Sequence, residues 1–287
     1  MDALKTSLLK KHRLRVEVTM DRRTLMTTLI AAGTASAAPW ASAQLKDKEN
    51  RPRLPRLLPG AKQRLIREKD DPPLLWAWSM NAVLNERNGV SNDIYAGREK
   101  TPRLYEESRD VLREWWGVHN REDALKTIDN LSNMRMGQPS FEKNWVPLLD
   151  KSEAEVRSLL DDELWVFGRM VLDNRDFLRV HGVKGWDLTR AQGVISFAWL
   201  ADWITLPEAR ELALTAAQRA QQEFNGWSSL GLSYLLGFAA WKPEVQAIRE
   251  RQSSVQNLVH SPDSVWSRRP WRTPLTGLAG RAELEVA

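Results

Sequence analysis

The chain of 287 residues contains no cysteine, only four histidines and only three tyrosines. Without cysteine there is no disulfide, no thiolate nucleophile and no thiolate metal site, and the redox compartment stays open on this criterion. His12, His119, His181 and His260 stand singly, so neither H-E-x-x-H nor another metal-ligand spacing exists. Gly231-Leu-Ser-Tyr-Leu lacks the second glycine of G-x-S-x-G, and no glycine-rich phosphate loop occurs. The sequence therefore predicts no cofactor and no metal. Strict apolar–polar alternation rich in Val, Ile and Thr is absent, which removes the strand signal. No repeat of fixed period is present, which argues against a solenoid.

Charge is abundant, but its distribution excludes the simplest reading of a basic protein. The formal net charge is +5 with a pI near 9.5. Residues 1–43 carry seven Lys/Arg against three Asp/Glu, and residues 44–73 carry nine against five. The remainder, from Leu74 onward, holds 26 basic and 29 acidic side chains. A slightly acidic body gives no electrostatic support for binding nucleic acid, and none is expected.

The basic N-terminal region reads as an export signal over residues 1–43. Met20 opens a stretch in which Arg22 and Arg23 form a twin-arginine pair. An apolar run from Leu25 to Ala38 follows, and Ala41-Ser42-Ala43 gives a small-x-small cleavage pattern before Gln44. The run has about 14 residues and falls short of the ~20 that a spanning helix needs. Translation is expected to start at Met20, with cleavage after Ala43 and a periplasmic or secreted product. The pair lacks the usual flanking Ser and Phe-Leu-Lys, so both the twin-arginine and the general route stay open, and an amphipathic N-terminal helix is the competing reading. Residues 44–73, charged and holding five prolines, read as a solvated flexible linker.

What is plentiful is helix grammar and tryptophan, of which there are 14. Leu75, Trp78, Ala82 and Asn85 keep helical spacing, with Gly89 as a stop. Leu104 to Trp116 predicts a second helix ending at Gly117. Asn120 caps a third, which runs to about Met136 and is closed by Gly137. Gln138 to Asp150 reads as a loop or short helical turn, and Ser152 to Arg179 as one long helix. Trp186 to Ala201 is the next. Thr205 and Glu208 then form a capping box for Ala209 to Phe224. Ser228 caps a helix that reaches Trp241, and Pro243 to about Val259 is the last. The expectation is an all-α, single compact domain of about seven to nine helices over residues 74–259. A tail over residues 260–287 packs Trp266 and Trp271 back onto the body.

Five spaced elements carry a family resemblance: Trp116-Gly117-Val118, WDLTR at 186–190, Pro207-Glu208-Ala209, Trp227, and YLLGFAAW at 234–241. Together they resemble the bacterial family catalogued as domain of unknown function 1266, over roughly Leu74 to Trp241. Asn225-Gly226 departs from that pattern, which has Ser before the tryptophan. The resemblance implies a fold and no activity.

The candidate site is the polar cluster of Trp186, Asp187, Arg190, Trp227, Tyr234 and Trp241. Asp187 and Arg190 are three apart and can pair on one helix face. Flanking apolar residues imply burial, with Tyr234 and the Trp227 indole as candidates for the hydrogen bonds a buried pair needs. Three roles suit this cluster: a polar clasp between helices, a small-ligand or hydrolase-like pocket around Asp187, Arg190 and Tyr234, or a partner-binding surface. For a paired-carboxylate mechanism only Glu208 or Glu223 offers a second carboxylate to Asp187. Good helix grammar without a catalytic signature points to a non-enzymatic interaction module of the cell envelope, with a protein partner and no transmembrane span in the mature chain.

Overall fold

The computed structural model describes residues 65–276. The export signal expected over residues 1–43, with Arg22, Arg23, Ala41 and Ala43, lies outside the described residues, as does residues 44–64 of the linker. Everything in the described body is organised around one helix, Lys184–Leu200, of which fourteen of seventeen residues are buried. A helix buried on all sides has no polar stripe, which is why its pattern of apolar spacing is incomplete. Asp187, Thr189, Arg190, Gln192 and Ser196 are polar and still buried.

In chain order the α-helices are α1 (Pro72–Ser79), α2 (Ala82–Arg87), α3 (Pro102–Trp116), α4 (Arg121–Ser132), α5 (Gly137–Asn144), α6 (Glu153–Leu159), α7 (Asp162–Asp173), α8 (Arg175–His181), α9 (Lys184–Leu200), α10 (Leu206–Glu223), α11 (Trp227–Trp241), α12 (Val245–His260) and the single turn α13 (Val265–Arg268). Among the described residues there is no strand, only an isolated bridge between Arg67 and Ile94. The all-α expectation holds. The number does not: twelve helices of six residues or more exceed the expected seven to nine.

The excess comes from local capping that interrupts apolar periodicity. The single helix expected over Ser152 to Arg179 is three. Leu160 is extended, and the side chain of Asp161 accepts from the Leu164 N–H, so a new helix starts there. Asn174 ends α7 and begins α8. The first expected helix likewise divides at Met80–Asn81 into α1 and α2. The third stops at Ser132, where Met134 takes φ 56° and the Arg135 N–H returns to the Asn130 carbonyl at 2.8 Å. Gly137 therefore does not close α4; it opens α5. Ser228 does not cap α11, because Gly226 is the N-cap and Ser228 lies in the first turn.

Around α9 pack α3, α4, α5, α10 and α11, while α12 lies across α11 and α2, and α1 lies on α10. No helix among the described residues is long and apolar enough to cross a membrane. The chain ends of the body lock together. Trp76, Trp227, Trp266 and Trp271 form one aromatic cluster, with centroids 4.6 Å apart for Trp76–Trp227 and 4.8 Å for Trp227–Trp271. Trp266 and Trp271 thus pack back as expected. Residues 65–73 belong to the body rather than to the linker. Ile66 is buried, Asp71 caps α1, and Pro72 and Pro73 occupy first-turn positions where their missing N–H costs nothing.

The capping box at the start of α10 forms as its spacing predicts. Glu208 accepts from the Thr205 N–H at 2.7 Å and hydroxyl at 2.9 Å, and pairs with Arg121. These bonds, the backbone one first, hold the Glu208 carboxyl below its usual range. A depressed folded pKa contributes stability above the unfolded value of about 4.3 that disappears as pH falls through the folded value. Glu208→Gln should therefore flatten the acid limb of melting temperature against pH below about pH 4.3, read by circular dichroism, and leave its shape near neutrality unchanged.

Candidate functional site: a reciprocal clasp of two helix N-termini

Asp187 lies in the first turn of α9 and is fully buried. Its partners come from the start of α5, fifty residues earlier. The Gly137 N–H donates to both carboxylate oxygens at 2.8 Å, and the Met136 and Gln138 N–H groups donate to Oδ2 at 3.2 Å each. These belong to the N-terminal donors of α5 that have no partner inside their own helix. Met136, the N-cap residue of α5, supplies no side-chain cap. Asp187 takes that place from another helix, with its negative charge on the positive end of the α5 dipole.

The arrangement is reciprocal. Gln138 of α5 accepts the N–H of Val183, the N-cap residue of α9, at 2.8 Å through Oε1. Ser233 on α11 accepts the next available donor, Gly185 N–H, at 2.9 Å, and donates to the Gly182 carbonyl at 3.0 Å. Sequence reasoning missed Gln138, because a glutamine in a segment read as a loop carries no signal until its neighbour in space is known.

Arg190 completes the charge balance. Its Nη2 donates to Asp187 Oδ1 at 2.5 Å and its Nε donates to the Trp186 carbonyl at 3.2 Å. The guanidinium lies 4.3 Å from the Trp186 ring centroid and 5.5 Å from that of Trp116. Burial draws the Arg190 pKa down from its usual value, and the Asp187 charge opposes that. Close packing enforces the geometry. A Cβ on Gly137 would stand 2.9 Å from Asp187 Oδ1 and 2.8 Å from Trp186 Cδ1.

Of the six candidate residues, five come together. The rings of Tyr234 and Trp241 lie 5.3 and 5.9 Å from Trp186. Tyr234 does not bond the ion pair, as was expected of it. Its buried hydroxyl faces Arg251 instead, and burial raises its pKa against the charge and hydrogen bonding of Arg251 and the charge of Arg190. Trp227 sits elsewhere: its N–H donates to the Arg269 carbonyl at 2.7 Å inside the four-tryptophan cluster. Neither carboxylate nominated beside Asp187 faces it, since Glu223 pairs with Lys184 at 2.6 Å and Glu208 caps α10. Among the described residues no three His, Asp or Glu side chains converge as metal ligands.

Beside the clasp, between α5, α9 and α11, is a recess of about 20 Å³, walled by Phe141, Trp145, Trp186 and Trp241. That is room for a single water, far below the ~300–1,000 Å³ of small-molecule pockets. The Asp187 carboxylate meets four donors on its two oxygens, and Asp187 is not among the residues that line this recess.

Asp187→Asn removes the charge, places an amide N–H₂ among backbone donors and leaves Arg190 buried without its counter-ion. A loss of about 3–5 kcal/mol in urea unfolding is expected. Gly137→Ala would ordinarily be mildly favourable in a helix. Here it should cost about 1–3 kcal/mol through the contacts described above, and a neutral or stabilising value would contradict this account of the clasp.

Searches of curated proteins and of solved structures return no match to this chain. A family model does match, over residues 111–271, and its description is "Protein of unknown function (DUF1266)". The matched span holds α4 to α13, both halves of the clasp and three of the four clustered tryptophans. It starts later and ends later than the resemblance read over Leu74 to Trp241. With more than half of its length matched, the chain belongs to the DUF1266 family of proteins of unknown function.

Proposed function

We propose that this chain is an exported, non-enzymatic α-helical module that binds another protein in the cell envelope. The observation that carries this reading is the commitment of the Asp187 carboxylate to three backbone N–H groups and Arg190. The most chemically suggestive residues of the chain are thereby occupied in joining α5 to α9. The alternative, a small-ligand binder or hydrolase-like enzyme around Asp187, Arg190 and Tyr234, has no observation in its favour. A general base must reach the proton it abstracts, and the neighbouring recess admits only about one water.

Export rests on the order of signals in the sequence: Met20, the Arg22-Arg23 pair, the apolar run and Ala41-Ser42-Ala43 before Gln44. In the native host, fractionation should place the protein in the periplasm or medium with Gln44 as its first residue. A full-length chain retained in the cytoplasm would overturn export. For the binding reading, cross-linking in envelope extracts should identify one recurrent protein that reconstitutes a stoichiometric complex with the purified chain. Repeated recovery of no such protein would overturn it.

A further inference from the structure

The placement of tryptophan singles out one surface of α3. Trp40 lies outside the described residues, which leaves thirteen of the fourteen tryptophans. Seven of these are buried in the core and five pack against it. Trp115 does neither. It is half-buried, and among the described residues its indole makes no hydrogen bond and no ring contact. Its neighbour Trp116, about 100° further round the helix, packs on the core and takes the Arg190 guanidinium at 5.5 Å. One turn before Trp115, Val111 is likewise half-buried and outside the core contacts. The inward face of α3 is carried by the buried Ser108 and Leu112, so Val111 and Trp115 form an apolar ridge along its edge. Two carboxylates share that ridge. Glu107, one turn before Val111, pairs with Arg103 at 2.9 Å. Glu114, three residues after Val111, has no cation paired with it among the described residues.

We infer that this ridge is the docking site for the chain's own residues 51–58, Arg-Pro-Arg-Leu-Pro-Arg-Leu-Leu. The two chemistries are complementary. The ridge offers apolar surface beside carboxylates, and the segment brings leucine and arginine with no acidic side chain. Leucine covers Val111 and the edge of the indole. An arginine guanidinium can lie on the indole face and reach Glu114 at once, which a lysine ammonium does less well. The two prolines leave fewer backbone states to be frozen on docking. Reach is sufficient. The Tyr95 N–H donates to the Ile66 carbonyl at 2.9 Å, and the Tyr95 ring lies 5.2 Å from Trp199 near the C-terminus of α9. Lys100, just before α3, pairs with Asp202 at that same end at 2.7 Å. The chain therefore enters the body near the start of α3, and Trp115 is about 20 Å further along that helix. The seven residues from Leu58 to Leu65 extend to about 24 Å. The contact does not depend on removal of residues 1–43, and it goes beyond the protein-binding reading by giving Trp115 an occupant in cis that any partner at this ridge has to displace.

The test is the indole ¹⁵N–¹H spectrum of the whole purified chain, with the Trp115 cross-peak assigned through Trp115→Phe. Arg51→Glu, Arg53→Glu and Arg56→Glu together should move that cross-peak, leave those of Trp227 and Trp266 in place and preserve the melting temperature. Leu54→Ser, Leu57→Ser and Leu58→Ser together should move it likewise at unchanged charge, and this variant serves alone if the first does not fold. A capped peptide of residues 51–58, added to either variant, should bind saturably and return the Trp115 cross-peak toward its original position. Trp115→Ala should weaken that peptide binding by about tenfold or more. A Trp115 cross-peak at one position in the unaltered chain and in both variants would overturn the inference, as would peptide binding undiminished by Trp115→Ala. If the cross-peak of the unaltered chain moves on dilution, the occupant is the segment of a second copy and docking in cis is equally overturned. None of these outcomes alters the case for an envelope partner, which the cross-linking experiment decides separately.

Discussion

A carboxylate taken fully out of water must find donors or give up its charge, and most of the architecture around α9 follows from how Asp187 meets that demand. The donors it finds are the first N–H groups of α5, and they bring α5 to a fixed angle and height on α9. Gly137 is then required by contact, because any side chain there meets Asp187 and Trp186 below 3 Å. Arg190 balances the remaining charge and holds Trp186 from one side. Gly237 receives Trp186 from the other, so α11 is drawn into the same junction. In return, Gln138 and Ser233 satisfy the free N–H groups at the start of α9. Three helices are thereby joined through polar groups inside an otherwise apolar core.

A second lock acts at the opposite end of α11, and its logic is the same with different chemistry. Arg269 is 4% exposed and donates to the Leu75 carbonyl, the Ser79 hydroxyl and the Asn92 carbonyl at 2.7–3.0 Å, with Glu68 as its counter-ion at 2.5 Å. Burial lowers its pKa, and Glu68 counters this. Trp76 and Trp266 donate across the same seam, to Pro270 and Ser79. Most of these partners precede residue 111, so the span matched by the family closes its core with residues that lie before it. Aromatic pairs of this kind add roughly 0.5–1.5 kcal/mol each beyond the area they bury, which makes the tryptophan cluster a large share of a domain's net stability.

Legibility differed between elements for definite reasons. The start of α10 was readable because a capping box is a local contract: Thr205 and Glu208 are three apart and satisfy each other whatever surrounds them. The end of α3 was readable because Gly117 takes the left-handed conformation, at φ 62°, that glycine tolerates best. The break at Leu160–Asp161 was not, since the apolar period continues through it and a single aspartate cap is a weak signal beside seven apolar residues. The linker boundary failed for a related reason. Pro72 and Pro73 look like linker composition and also suit a first helical turn, and only the burial of Leu74 to Trp78 decides between these. At the site, Asp187 and Arg190 were found because their pairing is an i, i+3 relation. Gln138, Gly137 and Ser233 were not, because each acts on a residue 45 or more positions away.

By itself, then, the sequence determined the class of fold, the family, most helix termini and the intrahelical half of the clasp. All of these depend on neighbours within four residues or on spacing along one chain. Tertiary structure alone decided which groups the ion pair meets. Whether a buried carboxylate faces a substrate, a metal or a helix end depends on which donors are brought to it from afar, and no local pattern encodes that. In this chain the donors are the N–H groups of α5, and the residue suspected of chemistry turns out to hold two helix N-termini together.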